Sequence, residues 1–352
     1  MCINQNVPGG SPPSVGSDAN PVTRPRRRRK ALILLAATLA IGGTALGVAV
    51  ARSAPVRIEV PGALRRDNAS IEPSGIAWAA ALDRYLVVSD DTGTEERKHR
   101  PWVFGMSRQG VMDPEPIVIQ GIDELNDAEA ICAGPDGTFF LTTSHSANKK
   151  GKTSPSRRML LHMRLAGRAL SVVGRLDLTL VRDGNGDGIL AIAGLDPGGS
   201  LDIEAITYRQ GALLVGLKSP LTSGGAAAIL RLDGAVEALR TGHVTPGSLT
   251  RLRVAALDVS RPNGVVHRGI SDLLALPDGS MVVLANSPKG LPSDGGGAMY
   301  WIRPGGGPPS LLHEYSGLKP EGVTVAADGK ELVLVFDNDL EPPLWVRVPL
   351  PR

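Results

Sequence analysis

The chain has 352 residues with 43 glycines, 28 prolines and only 3% aromatic residues, a composition that favours short strands and tight turns over long helices. Six of its 38 lysines and arginines lie in the first 30 residues, so the formal net charge of +3 belongs to that tail, and charge gives no support for nucleic-acid binding. Its two cysteines, Cys2 and Cys132, fall on opposite sides of a long apolar segment, which excludes a disulfide-stabilised fold.

The N-terminal region predicts export. Residues 1–30 are rich in Pro, Gly, Ser and Asn and end in arginines, which predicts a disordered basic tail on the cytoplasmic side. Residues 31–51 carry no charge and would form a helix about 31 Å long, enough to cross the ~30 Å hydrocarbon core of a bilayer. We expect a transmembrane anchor, with a signal peptide cleaved near Ala51 as the alternative and a twin-arginine signal as a third interpretation. Residues 52–352 then form a domain outside the cytoplasm, which is membrane-tethered in the first case and secreted or periplasmic in the second.

One unit recurs along this domain: an acid, a small or apolar residue, an apolar strand, a turn with glycine, a second apolar strand and a polar cluster. The five copies read "IEPSGIAWAAALDRYLVVSDD", "DAEAICAGPDGTFFLTTSHS", "DIEAITYRQGALLVGLKSP", "ISDLLALPDGSMVVLANSP" and "PEGVTVAADGKELVLVFDND". Asp-Gly between apolar runs is a strong hairpin signal, because glycine adopts positive φ without strain. Each unit is therefore predicted to form a hairpin.

A third apolar strand follows each hairpin, and "SVVGRLDL", "VEALR" and "SLLHEY" are interpreted as fourth strands. Four antiparallel strands repeated in a circle are typical of a β-propeller, so we predict an all-β fold with five blades counted directly. A sixth blade could lie in 166–200 or 244–268. The last unit lacks a fourth strand, and we expect the segment "VRIEV", residues 56–60, to supply it and close the ring.

Three segments carry a resemblance to known families. "DAEAICAGPDGTFFLTTSHSANKKGKTSPSRRMLL", "IEAITYRQGALLVGLKSPLTSGGAAAIL" and "HRGISDLLALPDGSMVVLANSP" resemble a bacterial family known as domain of unknown function 3616, over roughly residues 70–340. The chain is more distantly similar to phytase-like esterases and to the senescence-marker and gluconolactonase propellers, in which a Glu-Gly near the start of a blade binds a central divalent cation. Glu321–Gly322 keeps that dipeptide, whereas Glu129 and Glu204 are each followed by alanine.

The acids that open the units are predicted to meet on the propeller axis, because the first strand of each blade lies innermost. They are Glu72, Glu129, Glu204, Asp272 and Glu321. Crowded carboxylates must be protonated, paired with bases or bridged by a cation. Calcium, with about six to eight oxygen ligands, suits such a ring better than zinc, which prefers His and Cys. The alternative is that each acid accepts backbone N–H bonds from the next blade and locks the blades together.

A second polar set follows the second strands, and we predict that it lines the opposite mouth of the tunnel as a ligand pocket. Its members are Asp90, Asp91, Ser144, His145, Lys218, Ser219, Asn286, Ser287, Asp337, Asn338 and Asp339. The loop after His145, "ANKKGKTSPSRR", adds Arg157 and Arg158, which with Lys218 could hold a phosphate or carboxylate. Solvated loop ends have the same composition, so that alternative stays open.

The remaining motifs indicate a function less clearly. "DGNGDG", residues 183–188, spaces its polar residues as the opening half of a calcium loop, but Gly194 stands where the twelfth-position glutamate belongs, so a loop calcium and an ordinary turn both stay open. The sequence has no Gly-x-Ser-x-Gly elbow, phosphate-cradling loop or His-Glu-x-x-His motif, which removes the usual evidence for serine hydrolases, nucleotide binding and zinc proteases.

These patterns predict a calcium-dependent hydrolase of a phosphoester or ester, in which the metal polarises an oxygen and a glutamate acts as general base. The catalytic candidates are Glu129, Glu204 and His145. The candidates for binding the anionic ligand are Arg157, Arg158, Lys218, Asn286 and Asp337. The competing prediction is a non-catalytic propeller of the cell envelope that binds a ligand or a protein partner. For either function we expect a monomer whose partner is an anionic small molecule or a component of the cell envelope.

Overall fold

The computed structural model describes residues 54–65, 71–90, 99–148, 150–337 and 342–351, all of which belong to one compact unit, Val50–Arg352. The predicted tail 1–30 and the apolar segment 31–51 lie outside the described residues, so both stay predictions. Within the described ranges, no helix has the length and apolar character needed to span a bilayer.

The described chain opens with β1 (Val56–Arg57) and the short helix α1 (Gly62–Arg65). The first sheet contains β2 (Pro73–Ala79), β3 (Arg84–Ser89), β4 (Trp102–Met106) and β5 (Ile117–Gln120). The second sheet contains β6 (Ala128–Ala133), β7 (Thr138–Thr143), β8 (Leu160–Ala166) and β9 (Ala169–Leu176). Parallel pairing of β5 with β9 joins these two sheets at their outer edges.

The remaining strands repeat the same order. The third sheet, which follows helix α2 (Ile189–Ile192), contains β10 (Asp202–Arg209), β11 (Ala212–Ser219), β12 (Ala227–Asp233) and, after helix α3 (Ala235–Thr241), β13 (Leu249–Ala255). A small ribbon follows, made of β14 (Val259–Arg261) and β15 (Gly264–Val266). The fourth sheet contains β16 (Gly269–Ala275), β17 (Met281–Asn286), β18 (Gly297–Ile302) and β19 (Ser310–Tyr315). The fifth sheet contains β20 (Lys319–Val325), β21 (Glu331–Asp337), β22 (Leu344–Pro349) and β1. Single 3-10 turns lie at Ala80–Leu82, Pro135–Gly137, Pro155–Arg157 and Leu178–Leu180.

The sheets stand in a closed circle. The inner strands contact one another in the order β2, β6, β10, β16, β20 and back to β2. The apolar core is divided accordingly into separate clusters, one between each pair of neighbouring sheets. A circle of four-stranded antiparallel sheets around a common axis is the architecture of a β-propeller.

The segment predicted to close the ring does so. Val56 pairs with Trp345 and Arg57 with Leu344, so that β1 becomes the outer strand of the fifth sheet. Glu59 then bonds to the first sheet, donating its N–H to Gly110 O at 2.8 Å and accepting from Met112 N at 2.9 Å. This short segment therefore seals the junction between the last and the first sheet.

The prediction that "VEALR" forms a fourth strand is wrong. These residues lie in helix α3, whose ends are set by Gly234 and Gly242, both in the left-handed conformation. Ala238 and Leu239 are buried on one face of the helix, and alanine and leucine are among the best helix formers. The fourth strand of this sheet is β13 instead, and the stretch 244–268, where a sixth blade could have lain, holds only β13 and the ribbon.

Candidate functional site

Both predicted polar sets lie at one end of the axis. The hairpins are antiparallel, so the start of each first strand is opposite the end of its second strand: Asp202 pairs with Ser219, and Lys319 with Asp337. The prediction of two opposite mouths is therefore wrong. We call the end where these residues meet the axial mouth.

A bulge near the start of every inner strand fixes which residues are equivalent. The strand pairing skips one residue in each hairpin, and the skipped residues are Ser74, Glu129, Glu204, Ser271 and Glu321. Three of the predicted ring residues, Glu129, Glu204 and Glu321, thus share one structural position. In the first and fourth sheets a serine occupies that position. Glu72 and Asp272 stand at other positions, so the predicted ring of five equivalent carboxylates is wrong in these two members.

Close contact between inner strands explains this arrangement. A Cβ on Gly322 would lie 2.9 Å from Gly75 Cα, and one on Gly75 would lie 2.8 Å from Ala130 Cα. Real Cβ atoms do not approach so closely, so the position after the bulge must be small wherever two backbones meet there. The acid in front of this small residue is thereby held in the bulge, in the strand that lines the axis.

Asp272 occupies the position after the bulge and serves as a lock between sheets. Its side chain is 2% exposed, and its carboxylate accepts bonds from Leu273 N at 2.8 Å and from Val323 N of the fifth sheet at 2.6 Å. Burial raises the pKa of Asp272, while these two N–H groups act against the rise. For this residue the locking interpretation holds, because its oxygens already satisfy the backbone of the neighbouring sheet.

Two further positions complete the axial mouth. Two residues before each bulge stand Glu72, Asp127, Asp202, Gly269 and Lys319. Within one residue of the ends of the second strands stand Asp90, Ser144, Lys218, Asn286 and Asp337. Acids dominate the first three sheets, and the fourth sheet contributes no charged side chain at any of these positions.

Burial and neighbouring acids raise the pKa of Asp90 and of Glu129. Burial, followed by the carboxyl group of Glu72, raises the pKa of Asp90 to about 9, and Asp127 contributes further. Burial, followed by Glu204, likewise raises the pKa of Glu129 well above its ordinary value. Asp90 therefore holds its proton at neutral pH unless a cation replaces it, and the pKa of Glu129 is shifted in the same direction.

The bases at the mouth are engaged within the protein. The ammonium group of Lys218 bonds to Glu204, and although burial favours its neutral form, Glu204 and Glu321 raise its pKa. Burial raises the pKa of Glu321 to about 8, even though Lys218 lowers it. Lys319 Nζ lies 3.6 Å from Asp337 Oδ2, where the exposed ammonium faces that carboxylate.

The hydrogen-bond donors of the Arg157 guanidinium are also bound to acceptors of the protein. Its guanidinium pairs with Asp127 and donates to Ser146 O at 3.1 Å and to Asn126 Oδ1 at 3.3 Å. The basic loop therefore returns to the mouth and neutralises one of its acids. An incoming anion would have to displace these partners.

His145, Arg158 and Asn286 have partners other than the acids of the axial mouth. Burial lowers the pKa of His145 to about 4, and its Nδ1 lies 2.8 Å from Thr143 O, with Asp177 and Arg158 as its charged neighbours. Arg158 Nε lies 3.5 Å from Asp177 Oδ2. Asn286 Nδ2 donates to the carbonyl of Pro320 at 3.1 Å, which links the fourth and fifth sheets.

The fit to a metal ion differs between the acids. In the described ranges, no three His, Cys, Asp or Glu side chains are arranged to hold a metal ion. At Glu204 the ammonium of Lys218 already supplies a positive charge. Burial raises the pKa of Asp90 and Glu129, and carboxylate oxygens such as theirs and those of Glu72 are the donors that calcium prefers.

Sequence reasoning missed Asp127 and Asp202 as members of the site. Both stand two residues before a bulge glutamate, in "DAE" and "DIE". In a strand, residues two apart lie on the same face, so the Asp-x-Glu spacing could have revealed them.

The loop 183–188 is held by hydrogen bonds within itself, since Asp183 Oδ1 accepts from Asn185 N and Asp187 N at 2.8 Å.

Comparison with known proteins gives one family match. A family model described as "Phytase-like: Esterase-like activity of phytase" matches residues 72–294. No curated protein matches the chain. Among solved structures, the periplasmic gluconolactonase of Pseudomonas aeruginosa is 13% identical, with 79% of this chain and 89% of that chain covered and a TM-score of 0.43. A gluconolactonase of Xanthomonas campestris is 15% identical, with 86% and 96% covered and a TM-score of 0.37. Likenesses of this strength carry no argument about the site.

Proposed function

From the premise that the chain belongs to the phytase-like family, whose model describes an esterase-like activity, we propose that the axial mouth is the active site of a cation-dependent hydrolase of a phosphoester or ester. The match to this family confirms the predicted relation to phytase-like esterases, while the relation to domain of unknown function 3616 stays a prediction. We further propose a propeller of five blades, since five four-stranded sheets account for the circle of inner strands. The apolar segment 31–51 supports placing this domain outside the cytoplasm.

The observation that carries the proposal is the group of acids around Asp90. Burial and nearby negative charges both disfavour the ionised form of a carboxyl group, so buried neighbouring carboxyls tend to stay protonated and neutral. A divalent cation would release those protons and balance the charge. In the described structure these acids do not already form a set of three ligands, so we propose that a bound ion would draw Glu72, Asp90 and Glu129 together, and calcium tolerates such irregular sets of oxygen ligands. Such an ion, when bound, supplies a Lewis acid for an ester or phosphoryl oxygen.

The protein's own groups suggest a division of roles. Burial and Glu204 raise the pKa of Glu129, which suits a carboxyl group that transfers a proton. Lys218 holds its proton firmly and can orient an anionic group beside Glu204 and Glu321. Arg157 positions Asp127 through their ion pair. The burial of His145 and its backbone bond support a structural role for that residue instead of the catalytic one.

A second candidate is the non-catalytic envelope module. It is favoured by the observation that Lys218 and Arg157, the bases expected to bind an anion, both have acidic partners within the protein. In that case the mouth would bind a ligand or partner without turnover.

The test uses the full-length chain. We expect calcium at about 100 times its dissociation constant to stabilise the fold by about 2.7 kcal/mol. For a domain of this size that corresponds to a rise of several degrees in melting temperature. Glu129→Gln should abolish the rise, whereas the matched control Asp187→Asn, in the loop 183–188, should keep it. The same preparations are then assayed on aryl phosphates, aryl esters and lactones.

Several outcomes separate the candidates. Loss of the calcium effect in Asp187→Asn alone would move the cation to the loop and away from the mouth. Calcium stabilisation without turnover on any of the three substrate classes favours the binding module. If calcium gives no stabilisation and no substrate is turned over, the hydrolase proposal is refuted.

A further inference from the structure

A small cavity opens beside the axial mouth, over the fourth sheet. Its volume is about 200 Å³, and its main lining residues are Arg261, Arg268, Asp294, Glu314, Tyr315 and Ser316. Gly297 of β18 also lines it, and this residue pairs with Asn286 on one side and with Tyr315 on the other. The cavity thus lies at the edge of the fourth sheet that faces the mouth, in the sector where the mouth has no charged side chain.

Arg268 is the unusual group in this cavity. Its side chain is 1% exposed, the largest of the fully buried side chains in the described part of the chain, and it directly precedes Gly269, where β16 begins. Its Nη2 donates to Asp294 Oδ2 at 2.9 Å. Nε and Nη1 are buried and have no hydrogen-bond partner among the described residues. Buried polar groups are nearly always hydrogen-bonded, so these donors indicate a missing acceptor.

The carboxylates around Arg268 are already occupied by other donors. Asp294 Oδ2 also accepts from Arg261 Nε at 3.0 Å and Nη2 at 2.6 Å, and Glu314 Oε2 accepts from Arg261 Nη2 at 2.9 Å. Burial would raise the pKa of Asp294, but Arg261 and Arg268 outweigh it and lower the pKa. Arg268 therefore shares its counterion with a second guanidinium.

The remaining neighbour of Arg268 cannot replace a counterion. The Tyr300 hydroxyl oxygen is close enough to the guanidinium to accept a hydrogen bond from it, and the hydroxyl donates to Leu257 O at 3.0 Å. Burial raises the pKa of Tyr300 to about 12, although Arg268 acts to lower it, so the phenol stays neutral at any working pH. Tyr300 therefore adds no negative charge, and within the ranges that the structure describes Asp294 is the one carboxylate to which Arg268 is bonded.

We propose that this cavity is a binding site for a small oxyanion, a carboxylate or a phosphate, which accepts hydrogen bonds from Arg268. A volume of about 200 Å³ exceeds that of a single water, whose share of liquid volume is about 30 Å³. A cation finds no free partner here, because guanidinium groups already occupy both acids. An arginine suits the role, since its guanidinium stays charged when buried and presents several N–H groups to oxyanions. The proposal does not depend on the hydrolase function of the mouth.

The test observes the arginine directly. The full-length protein, with 15N-labelled arginine, is titrated with inorganic phosphate and separately with acetate at constant ionic strength set by sodium chloride. We expect a saturable downfield shift of the Arg268 Nε–H resonance, which is assigned through its loss in Arg268→Lys. The anion that binds more tightly identifies the source as a phosphate or a carboxylate.

A surface variant keeps the test independent of folding. Ser316 is exposed at the rim of the cavity, so Ser316→Asp adds a negative charge there without disturbing the core. We expect Ser316→Asp to raise the dissociation constant about tenfold, as one added charge at short range should, and Ser316→Asn to leave it unchanged. The proposal would be overturned if neither anion caused a saturable shift. It would also be overturned if Ser316→Asp and the native protein bound the anion with equal affinity.

Discussion

Replacing Lys218 with methionine removes the ammonium group at the axial mouth and keeps an unbranched side chain of similar length. Lys218 and Glu204 form an ion pair whose side chains are only 10% and 13% exposed. Burial raises the pKa of Glu204, while the ammonium and its hydrogen bond lower it. Without Lys218 the pKa of this carboxyl must rise further.

The size of the effect follows from this burial and depends on pH. Removing one partner of a buried ion pair costs about 3–5 kcal/mol. A raised pKa means that the folded state holds its proton more firmly than the unfolded state, whose glutamate pKa is about 4.3. Below that pH both states are protonated and the penalty is small. Above it, stability falls by up to about 1.4 kcal/mol per pH unit until the folded pKa is reached. We therefore expect a cost below about 1 kcal/mol at pH 5 and of several kcal/mol at pH 8.

The assay is urea denaturation of the full-length protein at pH 5 and pH 8. Lys319→Met is the matched control, because its side chain is 41% exposed and its ammonium stands 3.6 Å from Asp337, so we expect a cost below about 1 kcal/mol. Adding Glu204→Gln to Lys218→Met should restore most of the lost stability. A cost that is small at pH 8, or the same at both pH values, would refute the buried ion pair.

Three further outcomes are expected. Gly322→Ala should destabilise the fold by about 1–3 kcal/mol, since its Cβ would stand 2.9 Å from Gly75 Cα. Gly62→Ala, in open space, should leave the melting temperature unchanged, and equal melting temperatures for both variants would contradict the strand contact. Asp272→Asn should lower the urea midpoint by an amount equivalent to about 1–3 kcal/mol, because an NH2 group replaces one of two acceptors, and added calcium should not alter this loss. In the absence of calcium, stability should fall as pH rises from about 4 towards 9, because Asp90 binds its proton more tightly in the folded state. Asp90→Asn should flatten that pH profile, and an unchanged slope of melting temperature against pH would count against the protonated carboxyl.

The hairpins could be predicted from sequence because their signals are local. Apolar runs on either side of Asp-Gly define two strands and the turn between them, and β16 and β17 follow this pattern around Asp278–Gly279. Helix α3 could not be recognised from the same run of residues. Its apolar side chains suit a short strand or a short helix equally, and packing against the second sheet decides between them.

The position of the acids could be predicted only in part. Glu129 and Glu321 open their units and also lie at the bulge, and each stands eight residues before a turn glycine, at Gly137 and Gly329. Counting back eight residues from Gly279 gives Ser271, whereas matching acid to acid selected Asp272. The bulge that sets this offset arises from contact between inner strands that lie far apart in sequence, which a single unit does not reveal. The shared mouth, by contrast, follows from antiparallel pairing alone.

The junction sealed by residues 56–60 bears on how the protein forms. Its partner, β22, is made after every other strand of the circle, so the early segment stays unpaired until that late strand is available. Such distant pairing slows folding and leaves open edges exposed meanwhile. A peptide with the sequence of residues 56–60 should compete for that edge during refolding and trap molecules with an open ring.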